Sequence, residues 1–313
     1  MSQLVSYVIP CYKSALTIEG VVKEITDAMA GLTSYEYEVI LVNDCSPDDT
    51  FGVIRNICEK DGRIKGVNLA KNFGQHAALM AGFAQTKGDL VVCLDDDGQT
   101  PADEVGKLLA GIEDGADVVY ARYAHKQHSW FRNFGSKINE LMTRVMLGKP
   151  KDLYVSSYFV ARRFVIDEVL RYTNAFPYVI GLVLRSTKNI INVDVTHRER
   201  EIGTSGYNFS KLLALWVNGF TSFSVKPLRF ATMAGTICAG LGFLYAIYTV
   251  IKKFVNPAVP VGFSSLMSAI MFIGGMLMLM LMMGMIGEYI GRIYVCMNNS
   301  PQYVVKEIVG RDS

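Results

Sequence analysis

The sequence predicts an α/β domain built on a mostly parallel sheet, followed by an interfacial helix and a two-helix transmembrane hairpin. Three observations predict it. Short apolar runs alternate with stretches of helical spacing over the first two-thirds of the chain. Two long segments near the C-terminal end carry no charged residue, and an aromatic-rich stretch leads into the first of them. At 313 residues the chain is long enough for one large soluble domain and an appendage.

In chain order, residues 4–10, 37–43, 64–69, 90–94 and 117–121 read as strands, while 16–30, 51–60 and 74–86 carry apolar residues at helical spacing. Repeated β-α units imply parallel strands with helices on both faces. Ligands of such sheets sit beyond the carboxyl ends of the strands. The polar residues at those ends are Tyr12, Asn43, Asp44, Lys71, Asn72 and 95–99.

Residues 207–223 carry Tyr207, Phe209, Leu212, Leu213, Trp216, Phe220 and Phe223, which reads as an interfacial helix. A core helix of the leading domain is the competing reading. Residues 230–251 and 261–287 are uncharged and match the roughly 20 residues that cross a bilayer. Lys252, Lys253, Pro257 and Pro260 occupy the link, as a hairpin turn would. The competing reading is a buried helical hairpin of a soluble protein. Two spans return the tail to the side of the leading domain. Lys226 and Arg229 before them, with Arg292 and Lys306 after, agree with a cytosolic side, although the two link lysines run against the charge rule. The predicted divisions are a catalytic domain over 1–206, an interfacial region over 207–229, two transmembrane helices over 230–290 and a cytosolic tail over 291–313. Residues 4–9 are too short, and lack the basic start, for a secretory signal, so the leading domain is expected in the cytosol.

Composition narrows the chemistry. A net charge of +2 argues against nucleic acid as the partner. The six cysteines form no CxxC pair and read as reduced thiols, and the four histidines show no metal-ligand spacing. No P-loop, GxGxxG or GxSxG motif is present.

The sharpest local feature is Leu94-Asp95-Asp96-Asp97-Gly98-Gln99, followed by Thr100-Pro101 as a helix cap and first-turn pair. Clustered carboxylates repel and need a cation to hold them together. Mg2+ or Mn2+ with oxygen ligands would fit and could bridge a diphosphate. A solvated acidic loop is the alternative. In Val42-Asn43-Asp44-Cys45-Ser46-Pro47-Asp48, Asn43 and Asp44 could read a base edge or ribose hydroxyls, or form an Asx turn. Lys71, Arg122, Arg132, Arg198 and Arg200 could serve phosphates or be ordinary surface residues.

In order and spacing, Val8-Ile9-Pro10-Cys11-Tyr12, Val42-Asn43-Asp44-Cys45-Ser46 and Asp95-Asp96-Asp97-Gly98-Gln99 resemble the family 2 glycosyltransferases of A-type nucleotide-sugar fold. More narrowly, the chain resembles the dolichol-phosphate mannose synthase-like group, in its bacterial undecaprenyl-phosphate branch with two C-terminal spans. Lys71-Asn72-Phe73-Gly74, Arg132 with Ser136 and Asn139, residues 200–207 and residues 223–229 carry that narrower likeness. The resemblance covers nearly the whole chain. It implies that Pro10, Tyr12 and Asp44 hold the nucleotide, with Asn43, Lys71 and Asp96 beside it. It implies Asp95 and Asp97 as the metal-binding pair, with Gln99 as a further ligand. Arg122 and Arg132 would hold the lipid phosphate, and Arg200 with Ser205 would close over the phosphates. Four places depart from the commoner pattern: Asn43 where Asp is frequent, Gly98 for an apolar residue, Thr100-Pro101-Ala102-Asp103 for a more proline-rich run, and Gly206 for Lys or Asn.

The reaction so implied transfers one sugar from a nucleotide-sugar, a UDP-hexose such as UDP-glucose, to undecaprenyl or another polyprenyl phosphate with inversion. A phosphate oxygen is already anionic, so no strong base is required, and the protein positions and stabilises charge. An integral protein of a bacterial cell membrane with a cytosolic catalytic domain is expected, with a homo-oligomer as one possible assembly. The rival readings are a same-fold transferase acting on a diacylglycerol or glycan, and a non-catalytic nucleotide-binding membrane component.

Overall fold

The computed structural model describes residues 2–123, 144, 149–196, 226–256, 261–298 and 300–310. The chain divides into two compact units, Met1–Asn208 with Asn299–Ser313, and Phe209–Asn298.

In the first unit the apolar runs form β1 (Gln3–Cys11), β2 (Tyr35–Asn43), β3 (Ile64–Leu69), β4 (Leu90–Cys93) and β5 (Val118–Tyr123). Between them lie α1 (Ile18–Ala30), α2 (Thr50–Lys60), α3 (Gln75–Phe83) and α4 (Val105–Glu113). Helix α1 turns Ile18, Val21, Val22, Ile25 and Met29 inward, the spacing of one helical face. Central strand β1 buries every residue from Val5 to Cys11. A strand covered on both faces has no polar alternation to show, which is why this one reads as a nearly continuous apolar run, interrupted by the buried Ser6. Burying each large side chain of this core, such as Ile9, Leu41 or Ile54, stabilises the fold by roughly 1.5–3 kcal/mol.

The sheet has eight strands in the order β7-β5-β6-β4-β1-β2-β3-β8. Pairs β1–β2, β1–β4, β2–β3 and β5–β7 are parallel. Strand β6 (Phe159–Arg162) runs antiparallel between β4 and β5. Helices α5 (Arg163–Leu170) and α6 (Val179–Ser186) and strand β7 (Ile190–Val195) follow.

Three features depart from the sequence expectation. Strands β6 and β7 are short and carry little periodic signal. Residues 291–313, expected as a tail, contain β8 (Val305–Val309), which pairs antiparallel with β3. Thr100-Pro101 precede a 3-10 turn, Ala102–Glu104, and make no side-chain cap bond; the Thr100 hydroxyl bonds Tyr123 instead.

In the second unit α7 (Lys226–Val255) and α8 (Val261–Met297) are long and apolar enough to cross a bilayer. They pack side by side and antiparallel: Gly235 lies against Met282 and Gly242 against Met271. Helix α7 starts four residues ahead of the expected span. The expected interfacial helix lies outside the described residues up to 225.

Candidate active site

Strands β1, β2 and β4 end side by side, and their loops meet at the carboxyl edge of the sheet. The Asp44 N–H donates to the Cys11 carbonyl at 3.0 Å, joining the first two loops. Lys13 N–H donates to Ser46 Oγ at 2.7 Å, and Ser14 N–H to Thr50 Oγ1 at 2.9 Å. Lys13 and Cys45 take left-handed backbone angles, φ 60° and 51°, as tight strand-end turns do. Asn43 donates to Asn68 Oδ1 at 2.8 Å and accepts from Ser46 N–H at 3.2 Å, so its side chain closes the turn after β2.

Asp44 reaches the other way. Its two carboxylate oxygens accept the N–H groups of Phe73 at 2.7 Å and Gly74 at 2.8 Å, fixing the loop that opens α3. Gly74 is the cap residue of α3, whose N–H a helix start leaves unpaired, and a carboxylate there also complements the helix dipole. Gly74 has φ +89°, a conformation strained for other residues. Burial raises the Asp44 pKa, and the two N–H bonds oppose that rise.

Each member of the acidic turn after β4 has a different anchor. Asp96 accepts the Tyr12 N–H at 3.0 Å and the Ser14 hydroxyl, tying the turn to the end of β1. Asp95 accepts Gln75 Nε2 at 3.0 Å on one oxygen and the Ser157 hydroxyl on the other. Asp97 accepts the Gln99 N–H at 3.1 Å. The chain passes Gly98 at φ +71°, a left-handed conformation that favours glycine. Burial, then the charges of Asp97 and Asp96, push Asp95 up to about 6 against the bonds from Ser157 and Gln75. Burial likewise raises Asp96. Tyr123 borders the same cluster; burial and the charges of Asp95 and Asp97 lift its phenol to about 12 despite the Thr100 bond.

A hard cation suits this donor set. The donors that hold Asp95 and Asp96 are all neutral, so they orient negative charge without cancelling it. Among the described residues no three His, Cys, Asp or Glu side chains form a self-sufficient metal cage. An Mg2+-type site needs no such cage, since one or two carboxylates can be completed by water and substrate phosphates.

The other expected residues are distributed as follows. Pro10 is the penultimate residue of β1, opposite Val42, and Tyr12 is exposed just beyond it. The Lys71 ammonium lies over the Phe73 ring at 4.9 Å. Arg122, at the end of β5, grips Asp194 of neighbouring β7 with both ends of its guanidinium, at 2.5 and 2.9 Å. Arg132, Arg200 and Ser205 lie outside the described residues, as do Arg198 and Gly206. Sequence reasoning missed Ser14, Gln75, Tyr123 and Ser157. Gln75 directly follows the Lys71–Gly74 motif and could have been found there; Ser157 carries no local signal.

Comparison with known proteins bears on the family and the fold. Residues 6–170 match the model of glycosyl transferase family 2, and residues 226–293 that of the GtrB C-terminal hairpin. The undecaprenyl-phosphate 4-deoxy-4-formamido-L-arabinose transferase of Proteus mirabilis (strain HI4320) is 34% identical over 310 residues, covering 98% of this chain and 94% of its own. The transferase of the same name from Klebsiella pneumoniae (strain ATCC 700721 / MGH 78578) is also 34% identical, over 97% of this chain and 93% of its own. Among solved structures, glucosyl-3-phosphoglycerate synthase from Mycobacterium tuberculosis, in complex with Mn2+ and UDP-glucose, superposes with a TM-score of 0.52 at 20% identity, over 68% of this chain and 75% of its own. That likeness is one of fold. The chain therefore belongs to glycosyl transferase family 2, a glycosyltransferase whose α/β domain is joined to a GtrB-type membrane hairpin.

Proposed function

We propose that the protein transfers a single sugar from a UDP-sugar to the phosphate of undecaprenyl phosphate or a similar polyprenyl phosphate, at the cytosolic face of a bacterial cell membrane. The observation that carries this reading is the extent of the likeness. Relatives named for undecaprenyl-phosphate transfer align over 98% of this chain, hairpin included. A polyprenyl acceptor cannot leave the bilayer, so a transferase for it needs its site beside a membrane anchor.

The residues divide the work. Asp44 holds the Lys71–Gly74 loop, and Lys71 brings a positive charge to the nucleotide side. Asp96 locks Tyr12 and Ser14 beside the acidic turn, and Pro10, Tyr12 and Asn43 are assigned to the nucleotide. Asp95, Asp97 and Gln99 would hold Mg2+ or Mn2+, which would supply positive charge against the diphosphate. Arg122 serves the acceptor phosphate by exchanging Asp194 for it, since exposed ion pairs are weak and exchangeable. Arg132 is assigned to the same phosphate, and Arg200 with Ser205 to the loop that closes over the site. The acceptor oxygen attacks the anomeric carbon as the bond to the nucleoside diphosphate breaks. A single displacement inverts that centre. The catalytic residues supply position and fixed charge rather than a base.

Two donors come forward: UDP-glucose from the family resemblance, and a nucleotide-linked 4-deoxy-4-formamido-L-arabinose from the names of the relatives. The test incubates detergent-purified protein with undecaprenyl phosphate, Mg2+ or Mn2+ and a panel of labelled nucleotide-sugars. Label in a lipid product from one donor, lost with chelator, supports the reading and names the sugar. Label only in a diacylglycerol or glycan acceptor overturns it.

A further inference from the structure

We propose that Gln75 and Ser157 are positioning residues that together fix the Asp95 carboxylate in the orientation the cation requires. The inference rests on the metal reading of the preceding subsection and goes beyond it to residues outside the acidic motif.

The two residues are remote from Asp95 in sequence and reach it from different elements. Gln75 is the first residue of α3, and its Nε2 donates to Oδ1 at 3.0 Å. The Ser157 hydroxyl, from the loop before β6, donates to Oδ2. Both supports are themselves braced. Asp44 ties the start of α3 through Phe73 and Gly74. On the other side, Ser156 Oγ–H lies 2.8 Å from both the Ala121 and Tyr158 carbonyls, and Tyr154 N–H donates to Asn192 Oδ1 at 2.7 Å. A carboxylate held on one oxygen can swing about its terminal torsion. Held on both, it cannot rotate without losing a bond.

Each carboxylate oxygen offers about two acceptor directions. The clamp uses one on each and leaves one on each for a cation. Both clamp donors are neutral, so the negative charge that attracts the cation is kept. Gln75 is exposed, so its bond to Asp95 adds nothing to core packing. Outer partners of this kind typically change metal affinity by about 10–100-fold when removed.

The experiment titrates Mn2+ into the full-length detergent-purified protein with UDP present, reading free Mn2+ by electron paramagnetic resonance and thermal midpoints in parallel. The parent binds Mn2+. Gln75→Ala and Ser157→Ala weaken binding by roughly 10–100-fold with melting unchanged, and Ser157→Thr, which keeps the hydroxyl, restores it. Gln75→Lys, which places a positive charge on the carboxylate, weakens binding beyond Gln75→Ala. Parental affinity in both alanine variants overturns the proposal. If Ser157→Ala melts early, Gln75→Ala decides alone, because its side chain is on the surface. A parent that takes up no Mn2+ with UDP present overturns the metal reading and this inference with it, a result distinct from parental affinity in the variants.

Discussion

The sheet unit and the helical hairpin use the same kinds of apolar side chain to opposite ends. In the sheet, Ile9, Leu41 and Val92 are wholly hidden by the chain's own helices and strands. In the hairpin, Phe243 is 67% exposed and Leu244 63%. The polar groups differ as well. Hydroxyls of Thr232, Thr236 and Thr249 each donate to a carbonyl four residues back, at 2.8–2.9 Å, within their own helix. In the sheet unit the functional polar groups bond across long stretches of sequence, Asp95 to Ser157 among them. A segment whose solvent is hydrocarbon must satisfy its polar groups locally and can leave apolar surface uncovered. A segment surrounded by water must cover that surface and can organise polar groups tertiarily.

The largest expected effect lies at the polar end of this comparison. Asp97→Ala should lower lipid-product formation by about 10²–10³-fold while leaving the melting of the sheet unit within about 0.5 kcal/mol. Chelation should do the same to the parent, and Mg2+ or Mn2+ should reverse it. An Asp97→Ala protein with parental turnover would remove the acidic turn from the chemistry.

A matched pair of substitutions sharpens the apolar half. Leu41→Ala should cost about 2–5 kcal/mol, since it opens a cavity in a packed core. Leu244→Ala should stay within about 0.5 kcal/mol by denaturant titration in detergent. Equal losses would break the comparison, because they would mean that α7 is covered by protein.

His76 gives a smaller, pH-dependent effect. Burial holds its imidazole at about 4 in the folded protein, below the ordinary value of 6.5, and its ring meets Tyr178 edge-on at 4.9 Å. Its contribution to stability is fully present above pH 6.5 and is lost as pH falls toward 4, because only the unfolded chain takes up the proton. The slope approaches about 1.4 kcal/mol per pH unit. His76→Phe should therefore lose less stability between pH 7 and pH 5 than the parent does. Denaturant midpoints at the two pH values check this, and an equal loss would place the titration elsewhere.

The smallest effect is expected at the sheet edge. Arg55 and Glu307 pair at 2.9 Å with both side chains a little under half exposed. Arg55→Ala should cost about 0.2–1 kcal/mol and less in high salt. A larger loss would show that β8 is held by that pair rather than by its ladder with β3.

How much was legible follows the range of the interactions. Strands β1 to β5 were readable because each is a short apolar run between turn residues, and α1 and α2 because one face repeats at helical spacing, whereas α3 is an apolar stretch buried on every side from Ala77 to Phe83. The hairpin was readable from length and absence of charge. Strand β8 was not, because five residues after a membrane helix become a strand only by finding the free edge of β3.

In the site, the acidic turn announced itself as a local motif, and its anchors did not. Asp95 is clamped from 20 residues upstream and 62 downstream, and Arg122 is paired with Asp194, 72 residues later. The chain by itself determined the α/β alternation, the membrane hairpin and the residue types that can face a nucleotide-sugar, since periodicity, hydropathy and motif chemistry are local properties. Only the tertiary structure decided which oxygen of which carboxylate is held and by what. Hydrogen bonds are satisfied by whatever the folded backbone brings within about 3 Å, and no spacing along a sequence encodes that.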